Sequence, residues 1–220
     1  MMIKAVIFDW DGTLADTKKA VVQSFQRVLK ESGCNVSDEF IERRIGIGTK
    51  KTIIEAFRKC NIKIDGLKLE KLAKKKILIQ VGLTDTVNLY EGAIELLETL
   101  QGKTKVALAT MTNRKVIDVF LSKKNIEWFF EVVISADEVY NPKPDPEAFL
   151  VVANRMGVNP KDCVVIEDSI FGVRAAKAAN MKCIAVSTGV YNKKELAKEI
   201  PDMLISSLVE KDKILGFILI

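Results

Sequence analysis

The chain opens on a short apolar run, Ile3 and then Ala5 to Phe8, that stops abruptly at two acids, Asp9 and Asp11, separated by one residue. The run is rich in β-branched residues, as a strand buried on both faces of a parallel sheet should be. If the backbone stays extended through residue 11, its period of two puts both carboxylates on one side, and Gly12 lets the chain turn away. Two carboxylates facing one small volume repel unless a cation or a proton separates them. The plainer reading is a strand end followed by an Asp-Gly turn.

Beyond residue 17 the pattern changes to helical spacing. Val21, Phe25, Val28 and Leu29 recur on one face, and Gly33 closes the run. Ser37 predicts the cap of a short helix holding Phe40, Ile41 and Ile45, and Thr49 the cap of another holding Ile53, Ile54 and Phe57. Residues 67–81 predict a further helix, and 84–88 a connector. Between them Gly46-Ile47-Gly48 lacks the third glycine and the preceding strand of a dinucleotide phosphate loop, so it reads as a hinge or a substrate-facing turn. Nothing strand-like occurs from 17 to 88.

From residue 89 the two patterns alternate. Apolar runs at 106–109, 132–134, 163–166, 183–186 and 203–205 predict strands. Helical patterns lie around Ile94 to Leu100, around Val116 to Phe120, from Asp145-Pro146 to Gly157, and from Ser169 onward. Alternation of this kind implies a parallel sheet covered on both faces. The fold class expected is therefore α/β: a Rossmann-like parallel sheet core formed by 1–15 and 89–220, with an inserted all-helical cap over 16–88. The apolar tail Gly216 to Ile220 is expected to dock on the core.

Composition narrows the chemistry. With 48% hydrophobic and 29% charged residues, the chain has the make-up of a globular protein. No run approaches the ~18 apolar residues of a membrane span, no signal-peptide pattern is present, and a monomer suffices. Cys34, Cys60, Cys163 and Cys183 lack metal-type spacing, so they read as reduced thiols of a cytoplasmic protein. The absence of histidine removes Ser-His-Asp and Cys-His catalysis and every His-ligated metal site. Net charge is +5, but residues 17–88 alone carry 16 basic and 8 acidic side chains. Most of these lysines read as a solvated helical surface, while their joint field favours an anionic substrate. No recognition motif accompanies the charge, so nucleic acid is not expected as a partner.

The remaining polar residues fall at strand ends. Asp9, Thr110 and Glu167-Asp168 each follow an apolar run directly, and Lys143 lies in the Asn141 to Pro144 loop after another. Open parallel sheets bind ligands beyond the carboxyl ends of their strands. Four chain segments thus deliver acids, a hydroxyl and a lysine to one edge, a set suited to phosphoryl transfer. Acids from two strand ends can hold Mg²⁺, which prefers a few carboxylates plus water and phosphate oxygens. A hydroxyl and a lysine can hold the equatorial oxygens, and without histidine an aspartate must attack or activate water.

The segments DWDGTLADT, VALATMTN, NPKPDPEAF and VVIEDSIFGVRAAKAA resemble, in order and spacing, the four signature motifs of the haloacid dehalogenase-like hydrolases. The branch they look like is that of phosphoglycolate phosphatase and β-phosphoglucomutase, with a helical cap after the first motif. The resemblance implies a Mg²⁺-dependent phosphatase of a small phosphorylated metabolite. Asp9 would attack phosphorus to give an aspartyl-phosphate, and Asp11 would protonate the leaving oxygen and then activate water. Thr110 and backbone amides would bind phosphoryl oxygens and Lys143 would neutralise and orient. Asp168, Asp9 and the Asp11 carbonyl would hold Mg²⁺, with Glu167 a ligand through water or an orienting group. Asp16 and Thr17 match the family's hinge and are expected to cap the following helix. Gly46, Gly48, Lys50, Thr112 and Asn113 are candidate substrate contacts. Trp10 and Glu91 depart from the family's usual residues without touching this chemistry. Relatives that are phosphomutases use a cap histidine that this chain lacks, and dehalogenase and phosphonatase relatives lack the equivalent of Asp11. A non-enzymatic sensor on the same fold is the remaining alternative.

Overall fold

The structure, a computed structural model, describes residues 2–219. Strand β1 (Ala5–Phe8) is followed by four helices: α1 (Lys18–Glu31), α2 (Asp38–Glu42), α3 (Thr49–Lys59) and α4 (Gly66–Gly82). The alternating part then runs α5 (Ala93–Leu100), β2 (Lys105–Ala109), α6 (Arg114–Lys124), β3 (Val132–Ile134), α7 (Glu147–Met156) and β4 (Cys163–Glu167). It ends with α8 (Ile170–Ala178), β5 (Lys182–Val186), α9 (Lys193–Ala197), β6 (Met203–Ile205) and α10 (Lys211–Ile218). The six strands form one parallel sheet in the order β3-β2-β1-β4-β5-β6. The order reverses beside β1, which pairs with β2 on one edge and β4 on the other.

Every residue of β1 and β4 is buried, which explains why both read as continuous apolar runs rather than as alternating ones. Period-two alternation still sorts their side chains. Val6 and Phe8 join Leu108 and Ile166 on one face of the sheet, while Ala5 and Ile7 join Ala109 and Val165 on the other. Helices α1 to α4 keep a separate apolar cluster built on Phe25, Leu29, Ile41, Ile53 and Phe57. Each such side chain contributes roughly 1.5–3 kcal/mol on leaving water, so these helices have a core of their own. The tail docks through Ile214 and Ile218 of α10; Ile220 lies outside the described residues.

Several local expectations shift. Gly48 is the residue preceding α3 and Thr49 its first helical residue, because the left-side φ of 88° at Gly48 suits a glycine and not a threonine. Pro146 stands immediately before α7, and the Asp145 carboxylate accepts the Glu147 amide at 3.0 Å. Ser37 and Ser169 do cap α2 and α8. The larger correction concerns the cysteines. Cys34 and Cys60 form a disulfide with Cα atoms 5.7 Å apart, and only Cys163 and Cys183 are free. Cys34 follows the turn after α1 and Cys60 closes α3, so the pair meets only once those helix ends converge, 26 residues apart in sequence. Among the described residues no helix is long and apolar enough to cross a membrane.

Candidate active site

The two acids behind β1 continue its alternation. The Asp9 amide donates to the Ile166 carbonyl at 3.0 Å, extending the β1–β4 ladder by one rung. Trp10 turns the opposite way, 1% exposed, with its ring centroid 4.6 Å from that of Phe120 in an edge-on arrangement. Asp11 returns to the Asp9 side. Its carboxylate accepts three hydroxyls: Thr17 at 2.7 Å, Thr112 at 2.6 Å and Thr110 at 3.3 Å. Gly12 then turns the chain with φ 91°, and a side chain there would strike the Asp168 carboxylate at 2.3 Å. That close approach sets the glycine as firmly as the turn does.

Lys143 comes from the loop after β3 and is fully buried. Its Nζ donates to Asp9 Oδ1 at 2.5 Å, to Glu167 Oε1 at 2.7 Å and to the Ala109 carbonyl at 3.1 Å. The other Glu167 oxygen accepts the Ser169 amide at 2.9 Å and its hydroxyl at 3.0 Å. Gly172, in the first turn of α8, leaves room for this carboxylate, since a Cβ there would come within 1.8 Å of it. Glu167 is thus clamped between a lysine and a helix cap. Asp168 Oδ1 accepts the Thr13 hydroxyl at 3.0 Å.

Charge balance in this cluster is lopsided. Burial disfavours the Lys143 ammonium, but Asp9 and Glu167 outweigh that and raise its affinity for the proton. Burial first, and then Glu167, push the Asp9 carboxyl well above the usual range against the pull of Lys143. Burial, Glu167 and Asp9 do the same to Asp168. One buried ammonium does not offset Asp9, Asp11, Glu167 and Asp168. Carboxylate oxygens of Asp9, Glu167 and Asp168 lie within 4.8 Å of one another. An all-oxygen, electron-rich set that is short of positive charge fits a hard divalent cation such as Mg²⁺.

The structure places the remaining candidates unevenly. Thr110 and Thr112 stand beside Asp11 as described. Asn113 is committed elsewhere: its oxygen accepts the Lys115 amide at 3.1 Å as the cap of α6, and its nitrogen donates to Asp137 at 2.6 and 2.8 Å. Gly48 lies beside Pro142 and Gly46 beside Ser169, so the glycine loop does reach the sheet edge. Lys50 is exposed and paired with Glu70 at 2.5 Å. Thr17 sits at the start of α1 but makes no side-chain capping bond; its hydroxyl holds Asp11 instead.

Lys76 carried no sequence signal, and Arg43 only that of a surface cation flanking the glycine loop. Lys76 of α4 is 3% exposed, bonded to Gln80 and 4.5 Å from the Phe25 ring centroid. Burial lowers its pKa to about 8, with Asp11 partly offsetting the fall. In a helix with five lysines, only the fold reveals which one turns inward. Arg43 ties the helical part to the sheet: it pairs with Glu195, lies 4.5 Å over the Tyr191 ring centroid, and its carbonyl accepts the Tyr191 hydroxyl at 2.8 Å.

Comparison with known proteins agrees with this geometry. A family model described as haloacid dehalogenase-like hydrolase matches residues 6–186. A phosphorylated carbohydrates phosphatase of Thermotoga maritima is 31% identical over 97% of this chain and 97% of its own length. A fructose-1-phosphate phosphatase of Escherichia coli is 30% identical over 82% of this chain and 95% of its own length. Among solved structures, a β-phosphoglucomutase of Clostridium difficile superposes with TM-score 0.87 at 26% identity, covering 99% of both chains.

Proposed function

As a member of the haloacid dehalogenase-like hydrolase family, the chain is a hydrolase of phosphoric monoesters, and we propose that it is a Mg²⁺-dependent phosphatase acting on a small metabolite of the sugar phosphate or phosphoglycolate kind. The observation that carries this reading is the buried Asp9–Lys143–Glu167 chain at the reversal of strand order, beside Asp168. Ligand sites of open parallel sheets lie at that reversal.

In this reading an Asp9 oxygen attacks phosphorus as the ester P–O bond breaks, and Asp11 gives its proton to the leaving oxygen. Asp11 then takes a proton from the water that attacks the aspartyl-phosphate, releasing phosphate and restoring Asp9. Asp11 accepts three hydroxyls in this conformation, one on Oδ1 and two on Oδ2, and as a carboxylic acid it keeps acceptor capacity for them. Thr110 and nearby backbone amides hold phosphoryl oxygens, and Lys143 fixes Asp9 and offsets charge. Asp9, Asp168 and the Asp11 carbonyl would hold Mg²⁺, with Glu167 as a further ligand or an orienting group, and the ion would supply charge neutralisation between carboxylate and phosphate. Residues 16–88 act as a cap domain that closes over the substrate. Gly46, Gly48, Lys50 and Thr112 face the leaving group, with Asn113 shaping the wall and Lys76 adding a buried cation.

The test is phosphate release from a panel of phosphomonoesters with Mg²⁺. Release abolished by EDTA, and reduced at least ~10⁴-fold in Asp9→Asn without loss of fold, is the expected result. Normal turnover by Asp9→Asn would overturn the assignment. The likeness to a β-phosphoglucomutase supports a second reading, a mutase, and isomerisation of β-glucose 1-phosphate without release would establish it in place of the first.

A further inference from the structure

Gly12 is the loosest point of the segment that carries Asp9 and Asp11, and both peptides that flank it are pinned. With φ 91° and no side chain, it has the backbone freedom that other residues lack. Its amide donates to the Ala15 carbonyl at 2.9 Å, which fixes the peptide that also bears the Asp11 carbonyl. The next peptide is held from a distant part of the chain. The Gly12 carbonyl accepts the hydroxyl of Thr188, in the loop after β5 and 176 residues away in sequence, at 2.6 Å. Gly189 then faces Asp168: a Cβ there would come within 1.7 Å of its Oδ2, the same oxygen that bars a side chain at Gly12. Thr188 is tied in turn. Its carbonyl accepts the Tyr90 hydroxyl at 3.0 Å, and the Tyr90 amide donates to the Leu14 carbonyl at 2.9 Å. Tyr90 stands where the chain returns from the helical segment, directly after Leu89, which bridges Ala15.

We propose that Thr188 is a positioning residue of the metal site: its hydroxyl holds the Gly12 turn so that the Asp11 carbonyl and the Asp168 carboxylate converge on one cation, and Tyr90 holds Thr188 in register with the returning linker. The inference rests on the Mg²⁺ reading above and adds to it two residues outside the four motif segments. A glycine turn left with one pin rotates its peptides at little cost, and a carbonyl that rotates away is lost to the metal. Groups that orient metal ligands typically govern affinity by roughly 10- to 100-fold. If the Thr188 bond served only to satisfy the Gly12 carbonyl, its removal would lower the stability of the metal-free and metal-loaded chain alike.

The experiment follows melting temperature against Mg²⁺ concentration, with each variant referred to its own melting temperature in EDTA, so that folding and metal binding are read apart. Expected is an apparent Kd for Mg²⁺ raised about tenfold in Thr188→Val, restored to within about twofold in Thr188→Ser, and raised roughly threefold in Tyr90→Phe. Should Thr188→Val not fold, Thr188→Ala removes the same hydroxyl and gives the same reading. A rise of less than about twofold on loss of the hydroxyl, or an equal rise in Thr188→Ser, overturns the role of Thr188. An unchanged Kd in Tyr90→Phe overturns that of Tyr90. If the unsubstituted chain gains no stability from Mg²⁺, the metal reading itself fails and the proposal with it.

Discussion

The sheet edge and the helical segment above it handle charge in opposite ways. At the sheet edge the polar groups are committed to one another: Lys143 is shared between Asp9 and Glu167, Glu167 is clamped by Ser169, and Asp168 is held by Thr13. In the helical segment an excess of cations is spread over exposed surface, and side-chain ties to the α/β core run through Arg43, through Thr17 on Asp11, and through Thr84 and Asp85 on Lys123. On the proposed mechanism, groups that must be placed to a fraction of an ångström sit at the ends of strands buried on both faces, and groups that attract and enclose an anion sit on helices with their own small apolar cluster. The division assigns chemistry to one region and selection to the other, and substitutions in each test it.

The largest expected effect is on the chemical side. Asp11→Asn should lower kcat roughly 10²- to 10⁴-fold, the usual scale for a general acid–base group, with circular dichroism unchanged. A loss of less than tenfold would move the acid–base role away from Asp11. On the helical side, the Cys34–Cys60 crosslink should matter to stability and little to chemistry. Reduction, or the double change Cys34→Ser and Cys60→Ser, should cost about 2–4 kcal/mol in denaturant unfolding of that segment. A comparable fall in kcat at full folding would show that the two regions are not separable.

Lys76 crosses the boundary and sharpens it. Below about pH 8 its ammonium is retained, so affinity for an anionic substrate should be highest there. KM should climb up to roughly tenfold as pH rises past that value, and Lys76→Met should flatten the profile. Stability should run the other way. Between about pH 8 and the ordinary lysine value of 10.5, the unfolded chain still holds a proton the folded one has lost, so stability rises with pH across that window. Smallest is the effect of Arg43→Ala. Its ion pair with Glu195 is part-exposed and worth at most ~1 kcal/mol, with the Tyr191 contact adding a similar amount. A two- to fivefold rise in KM with kcat preserved is expected in steady-state kinetics.

How far the sequence reached follows the same division. The apolar runs locate the strands because a strand buried on both faces must be apolar throughout, and Asp9, Thr110, Lys143 and Glu167-Asp168 stand out as candidates because they interrupt or follow such runs. Exposed helices carry no comparable mark. Helix α9 has only Leu196 fully buried and left no period to read. Nor does spacing along the chain tell which of five lysines in α4 points inward.

The sequence by itself determined the parallel α/β core, the helical insertion, the order of the acids at the strand ends and the absence of histidine chemistry. Those depend on local pattern and residue type, which the chain states outright. Only the tertiary structure decided that Cys34 meets Cys60, that Thr17 holds Asp11 and does not cap α1, that Asn113 belongs to Asp137, and that Lys76 lies buried above the acids. Each of these is a contact between elements whose approach is set by the packing of apolar faces, and no local periodicity encodes the distance at which two such faces come to rest.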